Sequence, residues 1–269
     1  MNAYAPVLHW QSWAVLGRHV RVHLRKWHTA LLPPVCEPLI LLTAFGIGLW
    51  RQMSGVAWNS RALDYLTYLA PGILAYTAFM TAFFQALFTA YIRMHFQKSW
   101  EGQLITQIRL KHVVWGEALW AATMATAYAL MVCVALGLFG AAGLLQLRWE
   151  WLPLTLPLLF LAALAFAFVG LLFTALLPSM DHMSLPFFLV IMPLGFASDT
   201  YFPLPDLPGL TQAAQANPLL QLAEGLRALL VDGRLTWRLA AAAGLGLGLI
   251  ALLAPLDLRL LRRRVLGDA

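Results

Sequence analysis

The chain has 269 residues, of which 61% are hydrophobic and only 11% charged. A soluble domain covers its surface with about 25% charged residues, so this composition, with a mean hydropathy of +0.73, excludes a water-soluble globule and turns most of the outer surface toward lipid. The net charge of +6 comes from 18 Lys and Arg against 12 Asp and Glu, and because the basic residues flank apolar runs it speaks of membrane topology rather than nucleic acid.

A spanning helix needs about 20 apolar residues, so the length admits five to seven spans in one membrane domain. Cys36 and Cys133 both lie in apolar runs and offer no disulfide framework or metal spacing. The first thirty residues carry charges where the apolar core of a cleavable signal peptide would lie.

In chain order, residues 9–28 read as an amphipathic helix lying on the membrane. Trp10, Trp13, Ala14, Gly17, Val20, Leu24 and Trp27 recur at three- and four-residue spacing, with Arg18, Arg21, Arg25 and Lys26 off that stripe. The first span is predicted over Leu31–Trp50. Pro33, Pro34 and Pro38 crowd its start, and Glu37 sits one or two turns inside, within reach of the basic helix. Residues 51–68 read as a polar loop holding Arg51, Arg61 and Asp64.

The second span is predicted over Leu69–Ile92 and the third over Val113–Phe139. Between them the residues from Arg93 to His112 form a polar, basic island. A loop with Arg148 and Glu150 leads to the fourth span, Trp151–Leu177, and Pro178–His182 turns into a short fifth, Met183–Ala197, which includes Pro186 and Pro193. In segment 198–237, the prolines between Tyr201 and Pro208 break any helix. Asn217 and Pro218 are a cap and a first helical residue, Leu220, Ala223, Leu226 and Leu230 follow at helical spacing, and Asp232-Gly233 is a stop. This reads as two short helices dipping into the outer leaflet. The last span is predicted over Arg238–Leu258, before a tail with Arg259, Arg262, Arg263 and Arg264.

The expected fold is an all-α membrane protein of six transmembrane helices. Residues 1–29 form the cytoplasmic interface helix and 30–258 the membrane domain. Within it, 93–112 is a cytosolic loop and 198–237 an outer, re-entrant hairpin; 259–269 is a basic tail. With both termini inside, the N-terminal segment, the island and the tail each carry four basic residues, and the outer segments share the remaining six. That bias obeys the positive-inside rule. Deleting the short fifth span would put Arg262–Arg264 outside.

No phosphate-binding loop is encoded, since none of Lys26, Lys98 and Lys111 follows Gly. No G-x-S-x-G or H-E-x-x-H pattern appears, and His19 and His23 have no third ligand nearby. Enzymatic chemistry on this chain is therefore not expected. Three features remain. Phe96–Ile105 can form a short helix parallel to the membrane, with Trp100 and Leu104 on one face and Lys98 and Glu101 beside them, suited to a cleft on a cytosolic partner; the alternative is a solvated loop. Glu37, Arg93, Arg109, Glu117 and Asp257 form a set of charges at the cytosolic rim, either a latch or static pairs. Tyr76, Phe79, Phe83, Phe84, Phe88 and Tyr91 form an aromatic series that lines a path or packs against other helices.

These residues bring the chain close to a known family. Glu37-Pro38-Leu39 followed by Ala44–Gly48, the Tyr68–Gly72 run at the start of span two, and Tyr201-Phe202-Pro203 and Asn217-Pro218-Leu219 with Glu224 and Arg227 resemble the type-2 class of ATP-binding-cassette (ABC) exporter permeases. Gln97–Glu101, Thr106–Leu110 and Gly116-Glu117 are similar to the cytosolic loop of the nodulation-type permeases that export lipo-oligosaccharides. Gln107 stands where many members of the wider class carry Pro. The resemblance covers nearly the whole chain. It implies a six-span permease in the bacterial inner membrane that pairs with a second copy of itself, with two ATPase subunits beneath that hold ATP and Mg. The chain itself would bind no cofactor and would touch membrane lipids but no nucleic acid. Residues 96–105 would be the coupling helix, and Asn217, Pro218, Glu224 and Arg227 part of the outer hairpin. A lipo-oligosaccharide, glycolipid or similar amphiphile is the implied cargo; a multidrug exporter or a non-transporting assembly subunit is the alternative.

Overall fold

The computed structural model describes residues 3–25, 36, 38–48, 55–59, 61–204 and 209–267. Among them the architecture is helical apart from one hairpin. Four helices are long and apolar enough to cross a membrane: α2, Tyr65–His95; α4, Leu110–Ala141; α5, Trp149–Leu176; and α9, Trp237–Leu266. The predicted first span is described only at residue 36 and residues 38–48, which are helical and include a π turn over Leu42–Ile47. Glu37 lies outside the described residues.

Each spanning helix runs past the apolar run that announced it. α2 begins at Tyr65 rather than Leu69 because Asp64 caps it, its carboxylate accepting from the Leu66 amide at 3.2 Å. Tyr65, Leu66 and Tyr68 are buried in that added turn. The polar loop expected over 51–68 is therefore corrected. Its last four residues, 65–68, are helix, and before them lie two antiparallel strands, β1 Val56–Trp58 and β2 Arg61–Leu63, in register Val56↔Leu63 and Trp58↔Arg61. Val56 and Trp58 turn inward and Ala57 outward, the two-residue period of a strand with one buried face.

The basic tail is helical as well. α9 continues to Leu266 because Arg264 donates to the Thr174 and Ala175 carbonyls at 2.8 and 3.0 Å. These are carbonyls at the C-terminal end of α5, where cations are favoured. The predicted fifth span lies within α6, Met180–Phe196, a chain of short α, 3-10 and π pieces. At about 1.5 Å per residue it reaches about 25 Å, short of an about 30 Å hydrocarbon core.

α2, α4 and α5 pack on one another, and α9 lies along α5. Outer helices α7, Leu210–Gln215, and α8, Pro218–Arg227, follow α6, and α8 wedges between α2 and α9. At the other end α1, Trp10–Leu24, packs across α4. Ser12, Val15, Leu16 and His19 form its buried face, while Trp10, Trp13 and Leu24 remain exposed. The expected apolar stripe thus keeps an outward face, and a second face docks on the bundle. Gly116 permits the docking: a Cβ there would stand 2.5 Å from the Val15 Cβ.

Candidate functional site: a buried charge hub beneath the cytosolic loop

Within the island, α3, Ser99–Leu104, is a single short helix. Lys98 precedes it in the left-handed region, φ 51°, and its ammonium pairs with Glu101 at 2.8 Å on the surface. Phe96 and Ile105 are 65% and 87% exposed at its two ends, and Leu104 is half-buried.

Trp100 corrects the expectation of an outward aromatic tip. It is fully buried, and its indole N–H donates to Glu117 Oε1 at 2.9 Å. The reason is chemical: an indole carries one donor that needs an acceptor when buried, and a carboxylate one helix away supplies it.

Glu117 is 1% exposed and collects more than Trp100. Arg93 Nε donates to both its oxygens at 3.0 Å, and an Arg93 terminal nitrogen closes the ion pair with Oε2. From α1, His19 Nε2 stands 3.3 Å from Oε1, with its ring stacked on Trp120 at 5.7 Å. One carboxylate therefore joins the end of α2, the loop helix α3, α4 and the interface helix α1. His23, one turn further along α1, lies edge-on to Trp120, and burial lowers its pKa below the usual imidazole value. His19 was invisible to spacing, because its partner sits 98 residues away and it lies off the apolar stripe of its helix.

Of the other rim charges, Arg109 and Asp257 do not join this hub. Arg109 is exposed at the start of α4. Asp257 is fully buried in α9, with neither oxygen hydrogen-bonded among the described residues. The four described rim charges, Arg93, Arg109, Glu117 and Asp257, therefore do not form one latch.

At the far end a second cluster is built around Arg227, also fully buried. Its Nε donates to the Tyr68 carbonyl at 3.0 Å, one terminal nitrogen to Glu224 at 2.7 Å, and the other to the Asp199 and Thr200 carbonyls. The guanidinium lies 3.8 Å from the Tyr68 ring centre. Trp58 of the hairpin donates to Glu224 at 3.1 Å. Burial raises the pKa of the Asp199 carboxyl above the usual range, while its Oδ1 accepts from the Leu204 amide. Asn217 caps α8 by accepting from the Leu219 amide at 2.9 Å and donates to the Leu194 and Ala197 carbonyls; Pro218 takes the first helical position. This cluster fastens α8, α2, the hairpin and the end of α6 together.

The aromatic series divides. Phe79 and Phe83 are fully buried, Phe79 edge-on to Phe166 of α5 at 4.8 Å. Tyr76 and Phe84 instead line a pocket of about 330 Å³ with Thr77, Thr81, Gln85 and Tyr128. Gln85 opens the π segment Gln85–Thr89 of α2, and its buried Oε1 has no hydrogen-bond donor among the described residues. Among those residues no group of three or more His, Cys, Asp and Glu could hold a metal.

This arrangement links helices at both ends of a membrane bundle. The model of the ABC-2 type transporter family matches residues 11–231. The chain belongs to that family. The permease is 36% identical over 204 residues to Nodulation protein J of Rhizobium leguminosarum bv. trifolii, covering 76% of this chain and 74% of that one. It is 30% identical over 269 residues to Nodulation protein J of Rhizobium meliloti (strain 1021), covering 98% and 97%. It is 21% identical over 215 residues to the inner membrane transport permease YadH of Escherichia coli (strain K12), covering 80% of each. It is thus a membrane-embedded transport permease of the export type.

Proposed function

We propose that this permease is the membrane half of an ATP-driven exporter that moves a lipo-oligosaccharide, glycolipid or similar amphiphile outward. Two copies pair, and two separate ATPase subunits, which hold ATP and Mg, dock beneath them. The chain spans six times, with both termini in the cytoplasm of a bacterial inner membrane and 198–237 as an outer re-entrant hairpin. The observation that carries this reading is the Glu117 hub. A partner pressing on the exposed Phe96, Lys98, Glu101 and Ile105 moves α3, and Trp100 passes the displacement through Glu117 to α1, α2 and α4. A buried pair bound at several points transmits motion better than a solvated loop.

The cargo assignment rests on the resemblance to nodulation-type permeases and on the Nodulation protein J relatives, of which that of Rhizobium meliloti matches nearly end to end. The pocket walled by Tyr76 and Phe84 supports it, since hydroxyls and an amide beside aromatic rings suit a molecule both polar and greasy. Among the charges, Glu37, Arg93, Arg109, Glu117 and Asp257 keep separate duties, and only Arg93 and Glu117 act in coupling.

The test uses the permease expressed with its ATPase. Phe96→Ala with Ile105→Ser removes the exposed apolar ends and leaves the hub alone. ATPase recovery with the affinity-purified permease should fall about tenfold, the equivalent of about 1.4 kcal/mol, while membrane insertion is unchanged. Full recovery and full export would remove 96–105 as the docking element. For the cargo, a deletion strain should retain lipid-linked saccharide in its inner membrane; an unchanged lipid-linked pool would discard the glycolipid.

A further inference from the structure

Four cations at the end of the bundle that holds α1 have no counterion among the described residues. Arg109 and Lys111 of α4 and Arg259 and Arg262 of α9 line one pocket of about 510 Å³. None of the four side chains makes an ion pair or hydrogen bond among the described residues. Nearby Arg264 differs, being committed to the α5 carbonyls and to the Tyr91 ring. Gathering four like charges costs free energy unless an anion accompanies them.

The walls between the cations are greasy. Leu110, Leu258 and Leu266 line the same pocket, with Pro255 and Ala3 closing it. The N-terminal segment is held there by bonds of its own: the Trp115 indole donates to the Ala3 carbonyl at 2.8 Å and the Tyr4 hydroxyl to the Ala251 carbonyl at 2.6 Å. The pocket is thus a fixed feature between α4, α9 and the residues ahead of α1. Its size lies in the range of small-molecule sites, about 300–1,000 Å³. The first turn of α4 adds to the positive field, since Arg109 provides no side-chain cap.

We propose that this pocket holds the headgroup of an anionic phospholipid, with the phosphate among Arg109, Lys111, Arg259 and Arg262 and the acyl chains along the leucines. Basic pockets between spanning helices take such headgroups, and a free phosphate would leave the leucine walls uncovered. The bound lipid ties the end of α9 to the start of α4, the helix that carries Glu117. The site is independent of the cargo, so its failure would leave the export reading untouched, and the reverse holds as well.

The experiment takes the full-length permease in mixed phosphatidylcholine–phosphatidylglycerol micelles and counts retained lipid by native mass spectrometry. Wild type should retain phosphatidylglycerol over phosphatidylcholine. Each lost cation should weaken that retention about fivefold, since a Lys or Arg near a membrane surface contributes about 1 kcal/mol. Arg259→Gln with Arg262→Gln should therefore lose about thirtyfold, while Arg259→Lys with Arg262→Lys retains the lipid and shows that the fold is intact. Arg18→Gln, an exposed cation of α1 outside the pocket, should change nothing. Unchanged retention in the double Gln variant would overturn the site, and so would an equal loss in Arg18→Gln, which would mean diffuse attraction. Displacement by inorganic phosphate at comparable concentration would assign the cations to a free anion and overturn the lipid assignment. Loss of ATPase recovery with lipid retention intact would give them to an acidic protein surface instead, with the same consequence.

Discussion

Glu117 shows what one buried charge does in this permease. Its carboxylate is nearly inaccessible and answers Arg93, Trp100 and His19 together. Breaking a buried pair from one side costs about 3–5 kcal/mol, because the surviving charge stays desolvated. Glu117→Gln should therefore lower the melting temperature of the purified permease clearly, whereas Arg93→Met with Glu117→Met should regain most of the loss. That double variant, stable yet poor in export, would separate the hub's coupling role from its structural one. A Glu117→Gln protein that melts like wild type would contradict the geometry. At this scale the sequence was legible where a residue's partner is local. Asn217 and Pro218 announced the start of α8, and Asp232-Gly233 the end of the π segment Ala228–Asp232 that continues it, where Gly233 adopts φ 66°. It was illegible where the partner is remote: nothing in the spacing of Trp100 places it beneath Glu117, so its aromatic ring looked like an outward tip. Arg262–Arg264 read as one basic run, yet two helical positions turn a side chain by about 200°, sending Arg264 to the α5 carbonyls and Arg262 to the pocket.

Among the elements, α1 carries the most instructive difference. Its exposed face, with Trp10 and Trp13, follows from three- and four-residue spacing. Its inner face, Ser12, Val15, Leu16 and His19, has too little apolar character to declare itself, and it docks through a glycine on another helix. Gly116→Val should lift α1 from α4, because the new side chain overlaps Val15. Hydrogen exchange over residues 10–24 should then quicken markedly while α5 stays protected. Unchanged exchange would mean that α1 does not rest on Gly116. Helix ends followed the same logic: hydropathy finds the apolar middle of a span, while caps and carbonyl-seeking arginines set its limits, as Asp64 does for α2 and Arg264 for α9. The β1–β2 hairpin escaped because two three-residue strands offer too few alternations to stand out from a polar loop.

For the whole molecule, composition alone gave the class, since so few charges cannot coat a soluble surface. Topology is the harder matter. α6 is too short to cross unaided, and its Pro186 and Pro193 interrupt the hydrogen-bond ladder. Yet the charge bias of the chain balances only if α6 counts as a crossing. Both can hold if the outer segment completes the crossing: Asn217 binds the Leu194 and Ala197 carbonyls at the end of α6, and Arg227 takes the carbonyls of Asp199 and Thr200 just beyond. Those are the backbone groups that a helix ending within the membrane would leave unsatisfied. Reporter fusions decide the matter. Alkaline phosphatase fused after Gly209 should be active, and fused after Leu266 inactive, with the reverse pattern for a cytoplasmic reporter. Activity after Leu266 would remove α6 as a span and put the arginines of α9 outside. Asn217→Ala should leave those orientations alone but loosen the seam, since two carbonyls lose their donor at about 1–3 kcal/mol each.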